Sequence, residues 1–148
     1  MSLKQRIADD MKAAMRAGDT QRRDTIRLLQ ASIKQREVDE RIVCDDATII
    51  VVLEKMLKQR KDSISQYAAA KRDDLAQKER DEVAILSAYM PQALSDSEID
   101  VLIVEALLVT EAKGMQDMGK VMAQLKPKLI GRADMAKVST LIKEKLVS

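Results

Sequence analysis

The chain has 148 residues and a formal net charge of +2, with 46% hydrophobic and 34% charged residues. This composition excludes a disordered polar chain and fits one ordinary domain or two small ones. Only two residues are aromatic, both tyrosines. The core must therefore be aliphatic, and base stacking is disfavoured as a way of recognising nucleic acid.

The reactive residue types are few. The chain has no histidine and one cysteine, Cys44, which excludes histidine-containing and multi-cysteine metal sites and any disulfide within the chain. We expect no metal and no other cofactor. The sequence has no apolar run long enough for a membrane span, and its first residues lack the apolar core of a signal peptide. These features lead us to expect a soluble, cytoplasmic protein with no membrane partner.

The first part of the chain predicts two helices separated by a glycine. Ser2 is a candidate N-cap for the first helix, and Gly18 is placed to end it in a left-handed conformation. The second helix is predicted to start at Asp19 or Thr20 and to run to about Glu40. Apolar residues on the inward face of the first helix recur every four positions: Leu3, Ile7, Met11 and Met15.

A basic stripe follows one side of the second helix. Four cations fall within roughly 40° of one another at the helical period: Arg23, Arg27, Lys34 and Arg41. Acidic residues lie among them: Asp24, Glu37 and Asp39. A salt-bridged flank is the simpler interpretation, and a secondary phosphate-binding site is the alternative.

The third and fourth helices each begin with two aspartates, which suit the positive end of a helix dipole. The third is predicted from Asp45 to about Ala70 and the fourth from Asp73 to about Ala88. Adjacent helical residues do not face each other, so we do not assign acid–base catalysis to these aspartate pairs.

Three basic residues lie close together in the third helix. Arg60 falls in the middle of the apolar face, where a structural ion pair is expected. The run Lys58, Arg60 and Lys61 is another possible phosphate contact, with Lys58 and Lys61 as secondary candidates and solvated surface charge as the alternative.

Pro91 ends this run of helices. Residues 91–94 are predicted to link an N-terminal four-helix part, residues 1–90, to a small C-terminal three-helix part, residues 95–148. Ser95 and Glu98 have the spacing of a capping box and open the fifth helix. No stretch alternates like a strand, so the predicted fold class is all-α.

The last two helices surround a basic turn. Pro127 is expected to end or kink the sixth helix at Lys126, Gly131 permits a tight turn, and helical periodicity resumes at Ala133. Residues 95–111 carry five acids and no Lys or Arg, whereas residues 112–148 carry eight basic and three acidic residues. We call five cations of this region the basic bend and predict that they bind RNA: Lys120, Lys126, Lys128, Arg132 and Lys137. Solvated charge is the alternative.

Several motifs resemble those of the GatB/YqeY family. They are TIRLL at residues 25–29, IKQREVD at 33–39, KQRKDS at 58–63, YMPQALS at 89–95, GKVM at 119–122, LKPK at 125–128 and GRADM at 131–135. The motifs span nearly the whole chain, and the chain resembles a free-standing member of the family rather than a fragment of a larger subunit.

The resemblance implies two helical subdomains. It also implies kinship with the C-terminal tail of the GatB protein of the glutamine-dependent aspartyl/glutamyl-tRNA amidotransferase, a tail that helps to hold tRNA. The family label is carbon–nitrogen ligase with glutamine as amido donor. This chain lacks the kinase-like and amidase domains of that enzyme, so we expect no transamidation by the chain alone and assign no catalytic residue.

Three functions follow, in order of preference. The first is a helical accessory module that binds tRNA or another structured RNA. The second is a protein-interaction adaptor in translation, without direct RNA binding, in which the acidic fifth helix takes part. The third is an amide-transferring enzyme. No histidine is available to activate Cys44 as a nucleophile, whereas a Ser–Lys pair with partners distant in sequence stays open.

Overall fold

The computed structural model describes residues 2–147. These residues form seven α-helices and one short 3₁₀ turn and include no strand, which confirms the all-α class. Within the same residues, no helix combines the length and the continuous apolar character that a membrane span requires. The helices are α1 (Leu3–Ala17), α2 (Thr20–Glu40), α3 (Asp46–Ala69), α4 (Asp73–Ser87), α5 (Asp96–Thr110), α6 (Met118–Leu129) and α7 (Met135–Val147), with the 3₁₀ turn at Met115–Asp117 between α5 and α6.

Local capping explains where several helices begin and end. The side chains of Ser2, Asp45 and Ser95 each accept a hydrogen bond from the backbone N–H three residues later. These bonds satisfy amide groups that have no partner within the helix. Gly18 ends α1 with φ 69°, a left-handed conformation that glycine adopts without steric cost.

The contacts between helices group the chain into two compact units, Met1–Met90 and Pro91–Ser148. The first unit contains α1 to α4.

Met15 was predicted to face inward in this unit, but it is 58% exposed and the neighbouring Ala14 is buried instead. The buried residues of α1, Ile7 and Ala14, are seven positions apart. Residues spaced by exactly four positions rotate gradually away from that face, because an α-helix has 3.6 residues per turn. The core contains Ile7, Ile26, Leu29, Ile33, Cys44, Ile49, Val52, Leu53, Met56, Leu57, Ile85, Leu86 and Tyr89.

The second unit contains α5, the 3₁₀ turn, α6 and α7. Leu94, within the predicted linker, packs against the core of this unit, so residue 94 contributes to the C-terminal part. The buried residues of this core come from all three helices: Ile99, Ile103, Ala106, Val121, Leu125, Leu129, Val138 and Ile142.

Of the two outcomes predicted at Lys126, an end or a kink, the end is wrong, because α6 continues through Pro127 to Leu129. Proline removes one intrahelical hydrogen bond, but Leu125 and Leu129 on either side of it are both fully buried. Their packing holds the final turn in helical form. Gly131, with φ 74°, then reverses the chain as predicted, and α7 begins at Met135 rather than at Ala133.

Candidate nucleic-acid interface

Two cations of the basic bend are exposed and uncompensated. Lys126 and Lys128 lie in the last turn of α6, where positive charge is favoured by the helix dipole. Neither side chain forms an ion pair with any residue from 2 to 147. Because they are two positions apart on a helix, they project to different flanks of α6. They therefore present two separate points of positive charge at one helix end.

Two other cations of the basic bend are paired with carboxylates. Lys120 Nζ lies 3.8 Å from Asp117 Oδ1, and Lys137 Nζ lies 3.0 Å from Asp96 Oδ1. Both lysines are more than half exposed, so these ion pairs contribute little to stability. The pKa of Asp117 is lowered chiefly by the hydrogen bond that it accepts from the Lys113 backbone N–H. The carboxylate is charged at neutral pH and offsets the charge of Lys120.

Arg132 is engaged within its own unit. Its Nε donates to the Gln92 carbonyl oxygen at 3.1 Å, and its own carbonyl oxygen accepts from the Leu94 N–H at 2.9 Å. Together with the Lys137–Asp96 pair, these contacts tie residues 92–96 to the turn after α6 and to the first turns of α7. We call this set of contacts the α5 clasp. It gives Arg132 and Lys137 a structural role besides any contact with RNA.

The secondary basic candidates lie in the N-terminal unit. Arg23 forms an ion pair with its neighbour Asp24 at 2.9 Å, in agreement with the salt-bridged interpretation. Arg27 borders a groove of about 510 Å³ together with Lys78 and with carboxylates that include Glu82. Three further candidates are exposed and form no ion pair with a described residue: Lys34, Lys58 and Lys61. Arg23 and Arg27 thus lie beside acids, whereas Lys34, Lys58 and Lys61 are open to solvent.

The predicted ion pair at Arg60 is confirmed. Arg60 Nε donates to Glu82 Oε2 at 2.9 Å, and the side chains are only 14% and 13% exposed. Arg60 Nη1 also reaches the Met56 carbonyl oxygen at 3.3 Å. The guanidinium therefore joins α3 to α4 and is not available as a phosphate contact.

The single thiol has the properties of a structural cysteine. Cys44 is 4% exposed within the first core, and burial raises the pKa of its thiol. A raised pKa leaves little of the nucleophilic thiolate at neutral pH. In the part of the chain that the structure describes, no group of three or more Cys, Asp or Glu residues is arranged to hold a metal ion.

An exposed apolar surface on α5 was missed by the sequence reasoning. Val101, Val104 and Leu108 are 57%, 40% and 73% exposed. Their i, i+3, i+7 spacing marks one side of a helix, so the signal was present. It was obscured because α5 is apolar on its buried side as well.

The family model described as Yqey-like protein matches residues 4–146. The chain belongs to the YqeY-like family. This match covers both units, from α1 to α7, and confirms the family assignment made from the sequence motifs.

Curated relatives of this YqeY-like chain carry the name "Altered inheritance of mitochondria protein 41, mitochondrial". The relative from Pyrenophora tritici-repentis is 32% identical over 130 residues, covering 86% of this chain and 71% of the relative. The relative from Kluyveromyces lactis is 38% identical, over 68% of this chain and 56% of its own length. A relative from Saccharomyces cerevisiae is also 38% identical, over 64% and 52%. The chain thus spans about half to seven tenths of these proteins.

The predicted cytoplasmic location is wrong by this comparison, because the relatives are named as mitochondrial proteins. The prediction rested on the lack of an apolar signal core and of disulfides. Those features argue against passage through an oxidising compartment. They contain no information that separates the cytosol from the interior of an organelle.

Proposed function

We propose that this YqeY-like chain is an accessory module that binds tRNA or another structured RNA through the C-terminal three-helix part. The observation that carries the proposal is the state of Lys126 and Lys128, which are exposed at the end of α6 with no acidic partner among the described residues. The proposal assigns the main phosphate contacts to these two lysines. Lys120, Arg132 and Lys137 contribute less, because each already has a partner within the unit.

The chemistry available fits recognition of phosphates rather than of bases. The only aromatic residues, Tyr67 and Tyr89, lie in the N-terminal unit, so the C-terminal unit has no ring on which a base could stack. Lysines bind phosphate as point charges. Binding should therefore depend strongly on salt and weakly on sequence. The resemblance of the sequence motifs to the GatB/YqeY family supports tRNA as the first RNA to test.

The proposal assigns no amide transfer to this chain acting alone. Glutamine hydrolysis requires an activated nucleophile. Histidine is absent from the sequence, and the Cys44 thiol is buried with a raised pKa. The amidotransferase label of the family therefore describes chemistry that other domains would have to supply.

The test is a salt series of tRNA binding by the wild type and by the double variant Lys126→Ala/Lys128→Ala. Each phosphate contact contributes about 0.9 to the slope of log K against log salt on a duplex. Removing two contacts should reduce that slope by about 1.8 and weaken binding several-fold at low salt. Fluorescence anisotropy of labelled tRNA measures both quantities.

The matched control is Lys12→Ala/Lys143→Ala, which removes the same charge from exposed positions outside the basic bend. Only a small uniform decrease is expected for this control. An equal effect of the two double variants would show that binding follows net charge and would refute the assignment to α6. An absence of tRNA binding at low salt would refute the RNA function.

The second candidate is an adaptor that contacts a translation protein without binding RNA directly. The exposed apolar residues of α5 favour it, because contiguous apolar surface marks sites of protein interaction. Co-purification with nuclease treatment separates the two functions. A partner retained after nuclease supports the adaptor, whereas a partner released by nuclease supports RNA binding.

A further inference from the structure

Helix α5 has a second apolar side that its own unit does not cover. One side packs into the C-terminal core through Ile99, Ile103 and Ala106. The other carries three exposed residues on a single helical face, which we call the α5 stripe: Val101, Val104 and Leu108. Each is 40% or more exposed, although apolar burial is the main source of stabilisation available to such side chains. The stripe therefore gains stability from any partner that covers it.

A groove adjoins the first residue of the stripe. It is a shallow depression of about 490 Å³, open to solvent, and is lined by Leu94, Ser97, Glu98, Val101, Leu102 and Arg132. Its walls are largely apolar, and the charged groups of Glu98 and Arg132 come from different segments of the unit. A concave apolar site beside a ridge of exposed side chains can receive a large apolar side chain from a partner.

The charges carried by α5 itself are negative. Residues 95–111 contain five acids and no Lys or Arg. Asp96 and Asp100 are paired with Lys137 and Lys145 of α7. Glu98 and Glu105 are exposed and form no ion pair with a described residue. Their separation of seven residues places both on the same flank of the stripe.

We propose that the α5 stripe binds an amphipathic helix of a protein partner, with Lys or Arg beside the apolar face of that helix. Cations of the partner would meet Glu98 and Glu105 while its apolar side chains cover Val104 and Leu108. A second copy of α5 would bring like charges together, and a nucleic acid would be repelled by the same acids. Charge complementarity therefore selects a basic helix. This inference deepens the adaptor role and is independent of RNA binding by Lys126 and Lys128.

The test uses a synthetic peptide about five turns long, with leucines on one face and lysines on both sides of that face. The first comparison peptide has the same composition in scrambled order. The second has glutamate in place of every lysine. Isothermal titration calorimetry with the full chain should give saturable binding of the basic amphipathic peptide. Its affinity should be at least about 10-fold higher than that of either comparison peptide.

Variants locate the binding site. Val104→Ser/Leu108→Ser should weaken peptide binding about 10-fold or more, because two apolar contacts are lost. Glu98→Gln/Glu105→Gln should remove most of the salt dependence of peptide binding. The matched control is Val38→Ser/Val43→Ser, which changes apolar residues that are 61% and 80% exposed in the N-terminal unit. This control should bind the peptide as the wild type does.

Several results would overturn the proposal. Equal binding of all three peptides, or no effect of the stripe variants, would show that α5 does not select a basic amphipathic helix. A dimer of the wild type that disappears in Val104→Ser/Leu108→Ser, detected by sedimentation, would identify a second copy as the occupant. Measurement of tRNA binding by the same variants separates the two proposals. If the wild type binds tRNA but not the basic peptide, only the α5 proposal is refuted. If it binds the basic peptide but not tRNA, only the RNA function is refuted.

Discussion

Substitution of Glu82 by glutamine should destabilise the N-terminal unit by about 2–3 kcal/mol. Removing one partner of a fully buried ion pair costs about 3–5 kcal/mol, because the other charge is left without compensation. Exposed pairs are worth about 1 kcal/mol or less. The side chains of Arg60 and Glu82 are 14% and 13% exposed, so their pair lies close to the buried limit. The bond from Arg60 to the Met56 carbonyl oxygen and the nearby Glu79 carboxylate recover part of the loss.

An apolar double variant separates the net contribution of the pair from the cost of leaving one charge unpaired. Arg60→Met/Glu82→Leu replaces the pair by apolar side chains of similar size and should lie within about 1 kcal/mol of the wild type. The exposed pair Arg23–Asp24 provides the control, and Asp24→Asn should change stability by no more than about 0.5 kcal/mol.

The tyrosines provide an assay specific to this unit. Tyr67 and Tyr89 are the only aromatic residues of the chain, and both lie within Met1–Met90. Tyrosine fluorescence during urea unfolding therefore reports on the N-terminal unit, and its midpoint gives the change in free energy. If Glu82→Gln changed that free energy as little as Asp24→Asn does, the assignment of the pair as a structural link between α3 and α4 would be refuted.

Three further changes test other contacts. Tyr89→Phe removes the hydrogen bond that the hydroxyl donates to Asp10 Oδ2 at 2.6 Å and should cost about 1–2 kcal/mol in urea unfolding. Burial raises the pKa of Tyr89, so the folded state holds the hydroxyl proton more tightly than the unfolded state does. The resulting stability is present below about pH 10 and is lost as the pH rises further. The loss of stability with rising pH, measured in an alkaline titration, should be smaller in the phenylalanine variant. Ser95→Ala removes the cap of α5, whose hydroxyl accepts from the Glu98 N–H at 3.1 Å, and should lower stability by about 1 kcal/mol and speed amide exchange in the first turn of α5. Leu125→Ala empties a fully buried position and should cost about 2–5 kcal/mol, measured as faster amide exchange throughout α6; unchanged exchange would contradict its place in the core.

The helix starts could be predicted because capping is local. Ser2, Asp45 and Ser95 each bond a backbone group three residues away, so the sequence contains both partners within one turn. The end of α6 could not be predicted from such local rules. The helix-breaking tendency of Pro127 competes with burial of Leu129, and that burial depends on helices distant in sequence.

The candidate site was predictable only in part. The exposure of Lys126 and Lys128 follows from their charge, but the partner of Lys137 is Asp96, 41 residues away. No local pattern indicates that contact. The Lys137–Asp96 contact separates Lys137, which is engaged within the fold, from Lys126 and Lys128, which are available to a ligand. The α5 stripe was readable from its spacing, and the residues on the opposite side of α5 are the ones that pack into the core.

The pairing of α5 with α7 has a consequence for the time course of synthesis. Asp96 and Asp100 form ion pairs with Lys137 and Lys145. The first helix of the C-terminal unit to be synthesised, α5, therefore has its charge partners on the last, α7. At about 5–20 residues per second, Lys145 is made about 2–9 s after Asp100. Until α6 and α7 have been made, the buried side of α5 lacks the residues that cover it in the folded unit. The newly made helix is therefore open to chaperones on both of its apolar sides before the unit closes.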